Sequence, residues 1–260
     1  MLNEFEAGAL TVQVYEGRNE LGAAAAAMAA AAIRRVLRKK EEVNIVFAAA
    51  ASQNEFLAAL LHEKIEWERI NAFHMDEYIG LPAGAPQQFG HWLKERIFGK
   101  APFKEVFYLN AQAPDPQAEC ERYAALLRRY PVDICFMGIG ENTHLAFNDP
   151  HVADFDDRQL VKIVDLDEPC KRQQVNEGCF ASIAQVPPEA YTLTIPALLQ
   201  AKTILCMVPG ILKATAVFHT LRDAISEKYP STILRRHTNA VLLLDKESAS
   251  EVAGEKNMRV

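Results

Sequence analysis

A chain of 260 residues, half of them hydrophobic, carries enough apolar side chain to bury one large core. Its formal charge of −6, with no Lys/Arg block beyond Arg34, Arg35 and residues 38–40, argues against a nucleic-acid partner. Five widely spaced cysteines without a C-x-x-C pair argue against a disulfide scaffold or a cysteine-built zinc module and suit a reducing, cytoplasmic setting.

Residues 10–15 (Leu-Thr-Val-Gln-Val-Tyr) alternate as a first strand. An alanine run over residues 23–32 follows Glu16, Arg18 and Glu20 and ends in basic residues. Alanine is the best helix former but only weakly apolar, so the run reads as a tightly packed helix, capped by Asn19, and not as an export signal or membrane span. A strand at 43–49 empties into Ala50, Ala51, Ser52 and Gln53, ahead of a helix over about 55–64. At that helix start Ser52 or Asn54 serves as an N-cap, or the backbone N–H groups hold an anion. A strand at 70–74 delivers Asp76 and Glu77 to its end. A helix at 87–98, a strand at 106–109 and a helix from Asp115 or Pro116 to Tyr130 come next.

Residues 134–137 form a buried strand that meets Gly138 and Gly140, which permit a tight turn or a close backbone approach. Asn142, His144, Asn148 and Asp149 follow within eleven residues of Gly138. A strand running into glycine and then polar groups is the site plan of an open α/β sheet. Beyond Pro150 the pattern loosens: a strand at 161–164, a polar cluster over 171–177 that includes Arg172, a strand at 190–195 and a short helix at 196–201. A strong strand at 203–208 opens into Pro209-Gly-Ile-Leu-Lys-Ala214, which heads a helix to about Ala224, and 240–244 is the last strand. Gly210 and Lys213 at a helix start suit a phosphate. Strands alternating with helices predict one α/β domain over residues 1–260, a mostly parallel sheet with helices on both faces. No G-x-G-x-x-G marks the first strand–helix turn, so no dinucleotide is expected. No H-E-x-x-H spacing suggests a metal.

Gly138-Ile-Gly-Glu-Asn-Thr-His-Leu-Ala-Phe-Asn-Asp-Pro150 resembles the signature of the glucosamine-6-phosphate deaminase (isomerase) family, G-x-G-x-[DN]-G-H-[IL]-[AG]-F-N-E-P. Phe73-His-Met-Asp-Glu-Tyr-Ile-Gly-Leu81 is similar to the same family's F-x-M-D-E-Y-x-G-L, Gly210, Lys213 and Ala214 match its G-x-x-K-A, and weaker similarity runs over roughly residues 10–250. The resemblance implies a modified Rossmann-like fold and conversion of an amino-sugar 6-phosphate to a ketose 6-phosphate plus ammonia, without cofactor or metal. It implies Asp76 as the C1–C2 proton shuttle and His144 as the ring-opening group, supported by Asn142 and Asp149, with Glu77 structural. It further implies phosphate contacts from Lys213, Gly210 and the Ala51–Ser52 turn, with Arg172 as a looser candidate, and Gly138 and Gly140 at the sugar. The partner is a small sugar phosphate, with neither nucleic acid nor membrane, and a homo-oligomer remains open. His237 matches a family histidine and reads as structural.

Four departures stand out: Asp149 where the pattern has Glu, Thr143 where it has Gly, Ala51-Ser52-Gln53 where relatives carry a Gly/Thr-rich loop, and Thr238 after His237 in place of Pro. If the Gly pattern at 143 reflects a positive φ, a β-branched residue there is strained. Two other readings share the fold. A 6-phosphogluconolactonase continues its motif A-S-L-F-P, whereas this chain reads Ala-Phe-Asn-Asp-Pro over 146–150 and keeps Met75-Asp-Glu-Tyr78. A sugar-phosphate sensor would carry a DNA-binding helix-turn-helix, for which the stretch before Leu10 leaves no room.

Overall fold

The computed structural model describes residues 1–176 and 178–253, so Glu177 of the polar cluster and the last seven residues of the expected domain lie outside the described residues. In chain order the elements are β1 (Asn3–Ala7), β2 (Leu10–Tyr15), α1 (Arg18–Leu37), β3 (Val43–Phe47), α2 (Asn54–Leu60), β4 (Ile70–His74), β5 (Asp76–Tyr78), α3 (Phe89–Leu93), β6 (Glu105–Phe107), α4 (Pro116–Arg129) and β7 (Ile134–Met137). There follow β8 (Val161–Asp165), α5 (Glu168–Asn176), β9 (Glu189–Leu193), α6 (Ile195–Leu199), β10 (Thr203–Val208), α7 (Ala214–Arg222), β11 (Ala240–Asp245) and α8 (Ser250–Ala253).

Eight strands form one sheet in the order β1-β2-β11-β10-β7-β3-β4-β6. Every pairing in it is parallel except β1 with β2. Side chains of a strand alternate between faces, and the central strand shows the result. Ile134 and Phe136 pack with α1, α2 and α3, while Cys135 and Met137 pack with α4, α6 and α7. Burial on both faces is why these strands read as unbroken apolar runs. Strands β7, β10 and β11 are consecutive in the sheet and parallel, as the predicted parallel alternation requires.

The alanine run works by size. Ala25, Ala26, Ala29, Ala30 and Ala32 are buried, and a Cβ on Gly22 would lie 2.7 Å from Glu55, so α1 crosses α2 at close range. Its N-cap is Gly17, not Asn19, and makes no side-chain cap bond. Asp115 does cap α4, accepting from the N–H groups of Gln117 and Ala118 ahead of the proline-led first turn. The helix expected over 87–98 is α3 continued by a wider π-type turn at 94–98. None of the described helices is long and apolar enough to cross a membrane.

The principal correction is a second, three-stranded antiparallel sheet, β5-β9-β8. The strands at 161–165 and 189–193 were expected within the single parallel alternation. Instead they pair with each other and with a three-residue strand, Asp76–Tyr78, where only the end of the 70–74 strand was expected. This small sheet stands at the carboxyl end of β4: Met75 N–H donates to Phe47 O of the large sheet, and Leu193 N–H donates to Met75 O.

Candidate active site

All the parallel strands run the same way, so their carboxyl ends open along one edge. A cleft of about 710 Å3 lies there. Into it come Ala51 and Ser52 after β3, Asp76 after β4, Gly138, Gly140 and His144 after β7, and Gly210 and Lys213 after β10. Most of the residues expected to bind or react are thus brought to one cavity by strand polarity, while Asn142, Asp149 and Arg172 do not line it.

Asp76 is a buried carboxylate on the cleft wall. It is 8% exposed, and burial, with the neighbouring Glu77 carboxyl adding to it, pushes its pKa well above the ordinary carboxylate range. A strand turns alternate residues to opposite faces, and Glu77 accordingly points away from Asp76. It accepts from the N–H groups of Tyr78 (3.0 Å), Phe89 (3.0 Å) and Gly90 (2.9 Å), satisfying the open start of α3. Burial pushes its pKa up to about 7 against those three bonds, which favour the charge. Glu77 is therefore the structural member of the pair. Glu77→Gln presents an NH2 group to a backbone N–H and should cost about 1–3 kcal/mol of stability; urea unfolding of the two proteins measures it.

The His144 loop is tied at both ends. Gly140 N–H donates to His144 O, Thr143 N–H to Gly140 O, and His144 N–H to Asn142 Oδ1. The imidazole lies flat on Gly140: a Cβ there would sit 2.2–2.4 Å from three ring atoms. Gly140 is therefore required for room, since it is not among the glycines with positive φ. His144 Nδ1 is 2.9 Å from Asp149 Oδ1, though out of line for a hydrogen bond. Asn142 Nδ2 donates to the same oxygen at 2.8 Å. Burial works to raise the Asp149 pKa, but the charge of His144 and polar contacts with His144, Asn142 and Cys170 outweigh it and hold the group below the usual carboxylate range. Thr143 has φ 71°, as a residue in a glycine position must, and its buried Oγ1 has no partner. The strain is fixed by the loop's other ties, among them Ser231 N–H to Thr143 O.

A strand of the small sheet couples Asp76 to the histidine loop. Thr192 is the register partner of Asp76, and its Oγ1 accepts from Phe147 N–H (3.0 Å) and Asn148 Nδ2 (3.3 Å) in the histidine loop.

At the other end of the cleft Gly210 has φ 96°, and Lys213 is buried to nine-tenths while lining the cavity. One expectation needs correcting here. The Gly210 N–H is taken by both oxygens of the buried Asp245 (3.1 and 3.0 Å), so Gly210 shapes the loop and its amide is not open to a ligand. Arg172 needs correcting too. It lies on the exposed face of α5, paired with Glu168, and lines a separate, shallower cleft with Asn142. His237 Nε2 contacts Ala201 O at 2.8 Å, the structural role expected.

Several site residues carry no sequence motif. Arg18 lines the cleft; Glu55 holds its guanidinium (2.8 and 3.1 Å), and Nη1 points toward Gly210, 3.6 Å from where a Cβ there would be. Its position just after β2 and Gly17, at a strand end, was the available signal. Gln53 Nε2 reaches Ser52 Oγ (3.0 Å) and lies 3.4 Å from both Met137 O and Met207 O, tying two strand ends together. On α5, Cys170, Gln173 and Gln174 share one buried face at i, i+3, i+4 spacing. Gln173 Oε1 accepts from Glu141 N–H, and Gln174 Oε1 accepts from Tyr78 Oη–H. Among the described residues the one cluster of three metal-ligating group types is His144, Asp149 and Cys170, with atoms within 4.8 Å of one another. Their engagement with each other and with Asn142 reads as a polar triad and not a metal centre.

The sequence pattern of the glucosamine-6-phosphate isomerase/6-phosphogluconolactonase family matches residues 16–243. A glucosamine-6-phosphate deaminase of Streptococcus uberis is 33% identical over 197 residues, 76% of this chain and 82% of that one. One of Bacillus thuringiensis is 35% identical over 193 residues, 74% and 72% of the two chains. The structure of a monomeric glucosamine-6-phosphate deaminase superposes with a TM-score of 0.85 at 31% identity, covering 92% of this chain and 99% of that one. A 6-phosphogluconolactonase from Thermotoga maritima superposes at 0.75 with 20% identity, covering 91% and 100%, a likeness of fold alone.

Proposed function

The chain belongs to the glucosamine-6-phosphate isomerase/6-phosphogluconolactonase family, and from that premise we propose that it is an amino-sugar-6-phosphate deaminase. It takes a 2-amino-2-deoxyhexose 6-phosphate and water to a ketose 6-phosphate and ammonia. The observation that carries this reading is the meeting of a buried carboxylate, Asp76, and a carboxylate-supported imidazole, His144, in one cleft with cations at its other end. Isomerisation with loss of an amine needs those two groups and they answer separate demands.

His144 moves the proton between O1 and the ring oxygen that opens the pyranose, and Asp149 with Asn142 holds the ring in place for it. Asp76 takes the proton from C2 of the open aldose and returns it to C1 of the enolamine, leaving an iminium at C2. Water adds there and ammonia leaves. Burial makes Asp76 a stronger base than an exposed carboxylate, which suits removal of a carbon-bound proton. Gly140 leaves the room in which the imidazole lies, and Gly138, where a Cβ would come within 3.2–3.3 Å of Ser52 and Gln53, lets the loops after β3 and β7 close together at the cleft. Lys213 and Arg18, with the Ala51–Ser52 turn, hold the 6-phosphate. Arg172, outside the cleft, has no part in this assignment. A phosphorylated sugar substrate places the enzyme in the cytoplasm.

The test is to incubate the protein with glucosamine and galactosamine 6-phosphates and with 6-phosphogluconolactone, following ammonia and acid release. Ammonia from an amino-sugar phosphate is expected. Acid from the lactone without ammonia from either amino sugar would overturn the reading. Lys213→Ala should weaken binding of a sugar 6-phosphate by about 1.5–3 kcal/mol, the worth of a charge-assisted contact. Titration calorimetry checks this, and unchanged affinity would move the phosphate elsewhere.

A further inference from the structure

Asp149 is fully buried, and its work is unevenly divided. Oδ1 serves both Asn142 and His144, while Oδ2, equally buried, has no hydrogen bond of ordinary geometry. A buried anionic oxygen left without a donor is costly. The group beside the carboxylate is the Cys170 thiol, 1% exposed, whose sulfur lies with the His144 and Asp149 atoms inside 4.8 Å. Cys170 is set there by the first turn of α5, where its N–H donates to Asp167 Oδ1 at 2.8 Å. Burial, and then the Asp149 charge, push the thiol pKa upward, so it keeps its proton and has one to donate.

We infer that Cys170 is a positioning residue for the reaction: its S–H donates to Asp149 Oδ2 and fixes the carboxylate against which His144 is oriented. Position 149 carries Asp where the family pattern has Glu, one methylene shorter, and the His144 contact is correspondingly out of line. The thiol braces this short carboxylate from the side that the imidazole does not reach. Gln173 on the same face of α5 holds Glu141 N–H, so one helix braces both the loop and its carboxylate. The kinetic consequences rest on the deaminase reading; the hydrogen bond does not.

The experiment compares the whole protein with Cys170→Ser, Cys170→Ala and Cys170→Ala/Asp149→Glu. Two readouts are taken: the pH titration of the Asp149 carboxyl by carbon NMR in aspartate-labelled protein, and kcat and KM for ammonia release. Cys170→Ala should raise the Asp149 pKa and lower kcat roughly tenfold with KM little changed. Serine keeps a donor and should restore most of both. The added methylene of Asp149→Glu fills the space that Sγ leaves and should recover kcat in the double variant. An unaltered carboxyl titration in Cys170→Ala overturns the inference, as does a Cys170→Ser protein that melts normally yet is as slow as Cys170→Ala. Should Cys170→Ala not fold, the infrared S–H band missing from Cys170→Ser decides: a band shifted by Asp149→Asn supports the bond, an unmoved band overturns it. One equivalent of zinc held by the wild type and lost from Cys170→Ser would make the thiol a ligand and overturn it too. A wild type that releases no ammonia sinks the deaminase reading, and the carboxyl titration still judges the thiol.

Discussion

Asp76→Asn is expected to reduce ammonia release by at least the roughly hundred- to ten-thousandfold that a positioned acid–base group supplies, while leaving affinity for the sugar phosphate nearly intact. The amide keeps the shape of the carboxylate but cannot take a proton at working pH. Run in reverse in deuterated water, the wild type should exchange deuterium into C1 of the ketose, and Asp76→Asn should not. The same group sets the pH dependence. Burial first, and the Glu77 charge second, hold the Asp76 pKa well above the ordinary range. The base form is the active one, so kcat should rise with pH through that elevated value. Glu77→Gln removes the second cause and should move the acid limb to lower pH. Full activity and exchange in Asp76→Asn would remove Asp76 from the chemistry.

Gly140→Ala is expected to cost turnover on the order of a hundredfold although no reacting group is changed. The new Cβ would occupy space within 2.2 Å of the imidazole, so the ring must leave its place against Asp149. Misplacement of a catalytic group by about 1 Å is sufficient for a loss of roughly that size. His144→Gln should lose a similar amount and retain more activity than Asp76→Asn, because the pyranose also opens spontaneously. The combined Gly140→Ala/His144→Gln protein should be about as slow as His144→Gln alone, since both changes remove one interaction. Losses that multiply would mean the glycine acts elsewhere; thermal melts separate either result from simple unfolding.

Parallel strands buried on both faces announce themselves, and the residue groups at their ends follow from strand polarity. That is why 134–137, 203–208 and the loops after them were legible. The small sheet was not, because β5 is only Asp-Glu-Tyr and offers no apolar run, and a sequence does not say which strands pair. β1 was missed because its residues are mostly polar and exposed. The helix α5 is so polar that it read as a cluster; its buried stripe of Cys170, Gln173 and Gln174 faces a polar site instead of an apolar core. Arg172 was placed by resemblance and lies one helix face away from the cleft. The strain at Thr143 was legible, since a residue standing in a glycine position inherits that position's backbone.

The order of strands also sets a timetable for synthesis. β2 is made early, but its parallel partner in the sheet is β11, residues 240–245. β7, at the centre, joins β3 from the first half of the chain to β10 from the second. A nascent chain therefore carries its first hairpin with one edge unpaired until nearly the whole sequence has left the ribosome. Such distant parallel pairings form slowly and leave apolar edges open meanwhile. The Gly210 end of the cleft is the last part to mature, because the Gly210 loop is latched by Asp245 at the end of that final strand. A ribosome-bound chain that stops short of residue 245 would thus hold Asp76 and His144 but lack the latch on its Gly210 loop.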